Sequence, residues 1–255
     1  MKSSNHILYI SGLIDDGIKV FLDKINNYPN RKYESIVESR LIINLCIRHF
    51  ESINKIAKEP ELLPSAMILS RSLFESALII IWLLYPNDIF ISESRYLSRL
   101  KDYEIWISKQ IKFNKLLGWD SEKFHLEKDA INNFRNKIQE LLEKKGNKEE
   151  NSKNVREILK EIGEERKYLY YKMLSNYTHG NYYSTRIYKK NLGVDSVFGE
   201  FIENIDWLFI YSITWPIFEL ASEILVLRAS KGKCTQVYSH EFKNKIRKAL
   251  ELKNI

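Results

Sequence analysis

Two charged residues stand inside an otherwise apolar stretch, SAMILSRSLFESALIIIWLLY, at residues 65–85. Arg71 and Glu75 are four residues apart, so both lie on one face if the stretch is helical. A charge inside an apolar helix is costly unless it is paired. Because arginine before glutamate is the less favourable order for a helix pair, we expect a further partner from another helix. The arginine fork is also suited to donate to a phosphate group.

A second group of polar residues lies within the stretch LSNYTHGNYYS, at residues 174–184, and just before it. Tyr171, Ser175 and His179 follow one another at intervals of four, which places them along one helical stripe. Gly180 is typical of the residue that ends a helix with a positive φ. His179 then lies in the last turn, where its ring either caps free carbonyls or acts as a general base. Both interpretations make it a natural partner for Arg71 and Glu75.

Tyrosines alternate with cations in the segment that follows, NYYSTRIYKK. Aromatic rings interleaved with positive charges can form a stacking platform for single-stranded RNA. Tyrosine-rich loops also simply cover helical cores, so the pattern has two explanations. Under the first, the residues that bind RNA or a nucleotide are Tyr171, Tyr177, Arg186, Lys189 and Lys190.

Several familiar kinds of site have no counterpart in the sequence. It contains no glycine-rich phosphate loop, dinucleotide fingerprint, zinc-ligand pair or nucleophile elbow. The two cysteines, Cys46 and Cys234, are far apart and show no metal or redox spacing. We therefore expect no metal and no cofactor.

Helical periodicity runs through nearly the whole chain and must position these residues. The 255 residues include only 9 glycines and 5 prolines, too few for the tight turns of a barrel or sandwich. We predict an all-α protein, a single helical bundle forming one domain over 1–255. Its eight predicted helices span 6–27, 35–58, 65–85, 90–117, 121–145, 153–178, 198–229 and 239–252.

Charge is distributed unevenly along the chain, whose net charge is +7. The segment 121–165 mixes both signs densely, which predicts a solvated helical hairpin with a flexible tip near Gly146, projecting from the bundle. The tail 228–255 carries eight basic residues against two acidic ones. Such a tail either contacts nucleic acid or an acidic partner, or forms a solvated terminal helix.

Two apolar stretches raise the question of a membrane. Residues 77–85 are too few to span about 30 Å of hydrocarbon. Residues 207–227 are enough, but contain Glu219 and Glu223, and a central carboxylate costs about 3 kcal/mol in a bilayer. We therefore predict a buried helix over 198–229, which could form a homodimer seam, and no stable membrane insertion. The N-terminus lacks a signal-peptide pattern, so we expect a cytoplasmic protein.

The run SRSLFESALIIIWLLY, followed about a hundred residues later by YYKMLSNYTHG, resembles a family of uncharacterised bacterial helical proteins. The resemblance covers roughly residues 35–185 and implies a polar site of Arg71, Glu75, Ser175 and His179. The chain is also distantly similar to the HEPN superfamily, whose active members are metal-independent RNases of toxin and antiviral systems. It departs from that superfamily's pattern, in which an arginine precedes the histidine by four to six residues on one helix. Here the arginine must come from another helix, most simply as Arg71.

These observations lead to two hypotheses. The first is a bacterial stress or phage-defence protein with HEPN-like, metal-independent RNase or nucleotide- or RNA-binding character. His179 is then the acid or base, Arg71 the phosphate partner, Glu75 their orienting carboxylate, and Ser175 and Tyr171 polar supports. The second is a non-catalytic sensor, adaptor or dimerisation module, in which the arginine, glutamate and histidine only fix the register of two helices.

Overall fold

The secondary structure is almost entirely helical. The computed structural model describes residues 5–29, 32–146, 148–180, 182–191 and 196–251. The helices in these ranges are α1 (Asn5–Asn26), α2 (Glu34–Ile56), α3 (Leu63–Leu84), α4 (Ile89–Leu117), α5 (Glu122–Glu143), α6 (Val155–Glu161), α7 (Tyr168–Thr178), α8 (Tyr182–Thr185), α9 (Asn204–Ala229) and α10 (His240–Ala249). Short 3-10 turns occupy Pro60–Leu62, Glu165–Lys167 and Arg186–Tyr188. Two antiparallel strands, β1 (Lys189–Lys190) and β2 (Val197–Phe198), form a small ribbon. The predicted all-α bundle is confirmed.

The two most apolar helices form the centre of the bundle. α3 packs against α2, α7 and α9, while α9 also packs against α1 and α2. Within the described residues, α3 and α9 are the helices long and apolar enough to cross a membrane, but 67% and 61% of their most apolar windows are buried in the bundle. Their hydrophobic side chains therefore serve the core of this chain. The homodimer predicted through 198–229 stays a prediction, and α9 directs most of its apolar side chains inward.

The prediction of a single helix over 153–178 is wrong, because this range contains two helices. α6 ends at Glu161, and Gly163 adopts a positive φ of 75°, which turns the chain before α7 begins at Tyr168. The last long helix also begins later than predicted, at Asn204 instead of 198, because β2 precedes it. Both differences reflect local backbone turns that an apolar pattern does not reveal.

A helical hairpin is present, but the residues that form it are not those predicted, 121–165. α5 pairs with α4, and the turn between them contains Gly118 at a positive φ of 68°. Gly146 is therefore not the tip. The segment after it returns to the bundle, where the Ser94 hydroxyl accepts a hydrogen bond from the Glu150 backbone N–H at 2.7 Å. At the actual tip, large apolar side chains are exposed: Phe113, Leu116, Leu117 and Trp119.

Arg95 on α4 holds this returning segment in place. Its side chain is only 4% exposed and forms ion pairs with Glu150 and Glu161. It also donates to the backbone carbonyl of Trp82 and lies over the Trp82 ring, 5.5 Å from the centroid. A buried arginine with several acceptors fixes its neighbours strongly, because losing any one leaves a buried donor unpaired. Arg95 thereby fastens residues 148–161 to α3 and α4.

The basic tail predicted over 228–255 is docked on the bundle as far as it is described, to residue 251. The ammonium of Lys243 on α10 lies 3.2 Å from Glu219 and 2.6 Å from Glu223. This contact explains the two carboxylates that interrupt the apolar pattern of α9. Arg228 donates to the backbone carbonyls of Leu84 and Pro86 and so satisfies the end of α3.

Candidate functional site

The site begins on α3, where Arg71 and Glu75 lie one helical turn apart. Arg71 Nε donates to Glu75 Oε1 at 3.1 Å, and the two side chains are 18% and 35% exposed. The two side chains therefore pair with each other along the helix. Because Glu75 accepts from Nε, the two terminal nitrogens of the guanidinium face other partners.

Those partners come from α7, a hundred residues later in the chain. Arg71 Nη2 donates to the hydroxyl of Tyr171 at 3.1 Å, and Nη1 lies 3.3 Å from Nε2 of His179. The guanidinium carbon also lies 5.3 Å from the centroid of the Tyr171 ring. The structure thus brings together four of the predicted residues, Arg71, Glu75, Tyr171 and His179, which we call the Arg71 cluster.

The charges within the Arg71 cluster stabilise one another. Burial lowers the pKa of Arg71, but the hydrogen bond to Tyr171 and the carboxylate of Glu75 outweigh it, so that pKa is raised above its ordinary value. Burial and the neighbouring Glu75 carboxylate raise the pKa of Tyr171. The cluster therefore holds a permanent cation beside a protonated phenol at neutral pH.

His179 is both the end of a helix and a member of the cluster. It is the C-terminal cap of α7, its backbone N–H donates to Ser175 O at 3.2 Å, and Gly180 follows with a positive φ of 57°. The predicted helix ending is confirmed. The residue is exposed, and its ring nitrogen Nε2 must accept in the contact with Arg71, since a guanidinium only donates. Because that lone pair is engaged by Arg71, the ring can accept a proton from a ligand only when this contact opens.

Two other predicted residues on α7 have different surroundings. Ser175 Oγ donates to the carbonyl of Tyr171 at 2.8 Å, a bond within its own helix. Tyr177 is partly buried and packs against the hydrophobic core. Neither contact reaches Arg71, so the roles predicted for Ser175 and Tyr177 stay predictions.

The predicted cationic platform has phenylalanines as its aromatic partners. The ammonium groups of Lys189 and Lys190 lie 5.3 Å and 4.7 Å from the ring centroids of Phe198 and Phe201. Arg186 begins the preceding 3-10 turn and is exposed. Asn181 and the side chains at 182 and 183, which also belonged to the predicted platform, lie outside the described residues. The turn and the ribbon together therefore carry three cations, and their binding role stays a prediction.

Beside the Arg71 cluster lies a cleft that sequence patterns did not reveal. It has a volume of about 490 Å³, and both Glu75 and Tyr171 form part of its lining. Its floor continues the α3 stripe through Leu78, Ile79 and Trp82. The opposite wall comes from the segment 152–158, which Arg95 positions. The spacing along α3 was readable in the sequence, but the position of that wall was not.

Comparison with known proteins places the chain in a family without assigning an activity. No curated protein and no solved structure matches it. Residues 40–195 match the model of DUF5677, a family of unknown function. That range contains the whole Arg71 cluster and the cleft beside it. Since the match covers more than half of the sequence, the chain belongs to the DUF5677 family, a family of unknown function.

Proposed function

We propose that the protein binds RNA through the Arg71 cluster and cleaves it without a metal ion. The observation that carries the proposal is the contact between Arg71 Nη1 and His179 Nε2, 3.3 Å apart, at a solvent-accessible position. An arginine beside a histidine supplies a phosphate-binding cation and a proton acceptor that are close enough to act on the same phosphate group. The distant resemblance to HEPN RNases supports a role in bacterial stress or phage defence.

The chemistry uses a nucleophile that RNA itself supplies. When RNA binds, Arg71 turns its Nη1 N–H from His179 Nε2 to a phosphate oxygen, which frees the Nε2 lone pair. The 2′-oxygen then attacks the adjacent phosphorus as His179 Nε2 accepts the 2′-hydroxyl proton, and the bond from phosphorus to the 5′-oxygen breaks. The leaving 5′-oxygen takes a proton from water, so the products are a 2′,3′-cyclic phosphate and a 5′-hydroxyl. Arg71 stabilises the extra negative charge of the transition state. Its described contacts with Glu75 and Tyr171 use two of its five N–H groups, so three are left to donate to phosphate oxygens once the contact with His179 opens.

A cleavage assay with matched histidine variants tests the proposal. Purified wild type is incubated with labelled single-stranded RNA in EDTA, alongside His179→Ala and Arg71→Lys. We expect cleavage by wild type, loss of at least about a hundredfold in His179→Ala, and cyclic-phosphate ends on the product. His125→Ala, which removes an exposed histidine on α5, should cleave like wild type. Intact RNA with folded wild-type protein would overturn the proposal, as would equal cleavage by His179→Ala.

A second function is favoured by the way in which Arg71 joins two helices. Its guanidinium contacts Glu75 on α3 and both Tyr171 and His179 on α7, which is the arrangement expected of a helix lock. In that case the protein is a non-catalytic sensor or adaptor. The stability of the variants separates the two functions. If the cluster only holds α3 and α7 together, His179→Ala should melt at a much lower temperature than wild type. A catalytic histidine at an exposed helix end predicts a change of only a few degrees.

A further inference from the structure

The cleft beside the Arg71 cluster is lined on its α3 side by apolar side chains. Leu78, Ile79 and Trp82 line it from α3, and the rings of Tyr168 and Tyr171 lie near one end, stacked at 25° with centroids 5.8 Å apart. Ligand sites are typically clefts of about 300–1,000 Å³ lined by apolar and aromatic side chains with a few polar groups. A volume of about 490 Å³ falls within that range.

The lining of the cleft carries both charge signs, with Arg99, Lys153 and Arg156 against the carboxylates of Asp102 and Glu75. The three cations also pair with carboxylates outside the lining, those of Glu38, Glu161 and Glu165 in turn. The guanidinium of Arg156 lies 5.8 Å from the centroid of the Tyr168 ring, so a cation and an aromatic face stand together. Such pairs of arginine and tyrosine favour flat, electron-rich ligands that carry negative charge.

We propose that the cleft binds the base and ribose of a ribonucleotide. The phosphate is directed toward Arg71 and His179, and in this respect the inference rests on the proposed function. The base lies against Ile79 and the neighbouring α3 side chains that line the cleft. The ribose lies near Tyr171, the residue shared by the cleft and the Arg71 cluster. The ligand is either a free nucleotide or one unstacked base of single-stranded RNA, which present the same chemistry.

Calorimetry on the full chain tests this assignment. The four ribonucleoside monophosphates and a short single-stranded RNA are titrated into wild type and into Ile79→Trp, which fills the cleft. We expect wild type to bind at least one monophosphate and Ile79→Trp to bind it at least tenfold more weakly. The matched control is Ile205→Trp, which places the same ring at an exposed position on α9. If Ile79→Trp does not fold, Ser152→Trp narrows the cleft from its rim and should weaken binding similarly.

The outcomes separate this inference from the proposed RNase function. RNA cleavage that Ile79→Trp leaves unchanged would overturn the cleft assignment while the RNase proposal stands. Nucleotide binding that Ile79→Trp abolishes, without any cleavage by wild type, would support the cleft and overturn the RNase. Equal dissociation constants for monophosphate and oligonucleotide indicate a free nucleotide, whereas tighter oligonucleotide binding indicates RNA. Absence of binding to every one of these ligands would overturn the inference itself.

Discussion

Arg71 and Tyr171 contact each other in two ways across α3 and α7. The guanidinium donates to the tyrosine hydroxyl at 3.1 Å, and its carbon lies 5.3 Å from the centroid of the same ring. Tyr171 therefore positions the cation and shields it from solvent at once. The two residues define how α7 sits on α3, and so where His179 reaches.

Removing only the hydroxyl of Tyr171 should cost stability. Tyr171→Phe keeps the ring contact but loses the hydrogen bond, and we expect the free energy of unfolding to fall by about 1 kcal/mol. Urea denaturation measures it, with Tyr170→Phe on the exposed side of the same helix as control. The same loss in both variants would show that the hydroxyl contact with Arg71 contributes nothing.

Ser175 and His179 should differ in their effect on RNA cleavage, although both were predicted as site residues. The Ser175 hydroxyl is occupied within α7, so Ser175→Ala should retain activity within about threefold of wild type. His179→Ala should lose its RNA-cleavage activity. Cleavage rates of the two variants at one RNA concentration are the measurement, and a comparable defect in Ser175→Ala would place its hydroxyl in the reaction.

The network around Arg95 should make the fold sensitive to acid. Burial alone would raise the pKa of Glu161, but hydrogen bonds from Lys153 and Arg95 outweigh it and lower that pKa. A lowered folded-state pKa stabilises the protein above the ordinary pKa of glutamate, and that contribution is lost as pH falls through the folded value. We expect the loss of stability between pH 7 and pH 3 to be smaller in Glu161→Gln than in wild type. Denaturation series at several pH values measure it; parallel curves would exclude this group as a source of acid sensitivity.

Two glycines on α1 should respond oppositely to the same substitution. A Cβ at Gly17 would lie 2.4 Å from Cη2 of Trp215, whereas one at Gly12 would meet nothing within 4 Å. Gly17→Ala should therefore destabilise the protein by about 1–3 kcal/mol through overpacking. Gly12→Ala should stabilise it by about 0.5–1 kcal/mol, because alanine is the better helix former. Thermal melting of both variants checks the pair, and a stabilised Gly17→Ala would show that α1 and α9 are less tightly packed.

The sequence predicted the helices and the central pair of the site for a clear physical reason. α3 was predicted at 65–85 and spans Leu63–Leu84, because apolar periodicity and Pro64 mark it well. The partnership of Arg71 with His179 followed from a charge that its own helix could not satisfy. The predicted hairpin partner of α5 was wrong because composition does not encode which neighbour a helix packs against. The cleft was missed because its outer wall depends on Arg95, whose three partners come from distant segments.

The hairpin of α4 and α5 can act as a lever, because a displacement at its tip rotates its base. α5 has 22 residues and is about 33 Å long, so a shift of about 3 Å at its tip corresponds to a rotation of about 5° at its base. The chain leaving that base runs into the segment that Arg95 fastens over the cleft. A molecule that bound Leu116 and Trp119 at the tip would therefore exert a torque on the segment that forms the cleft wall.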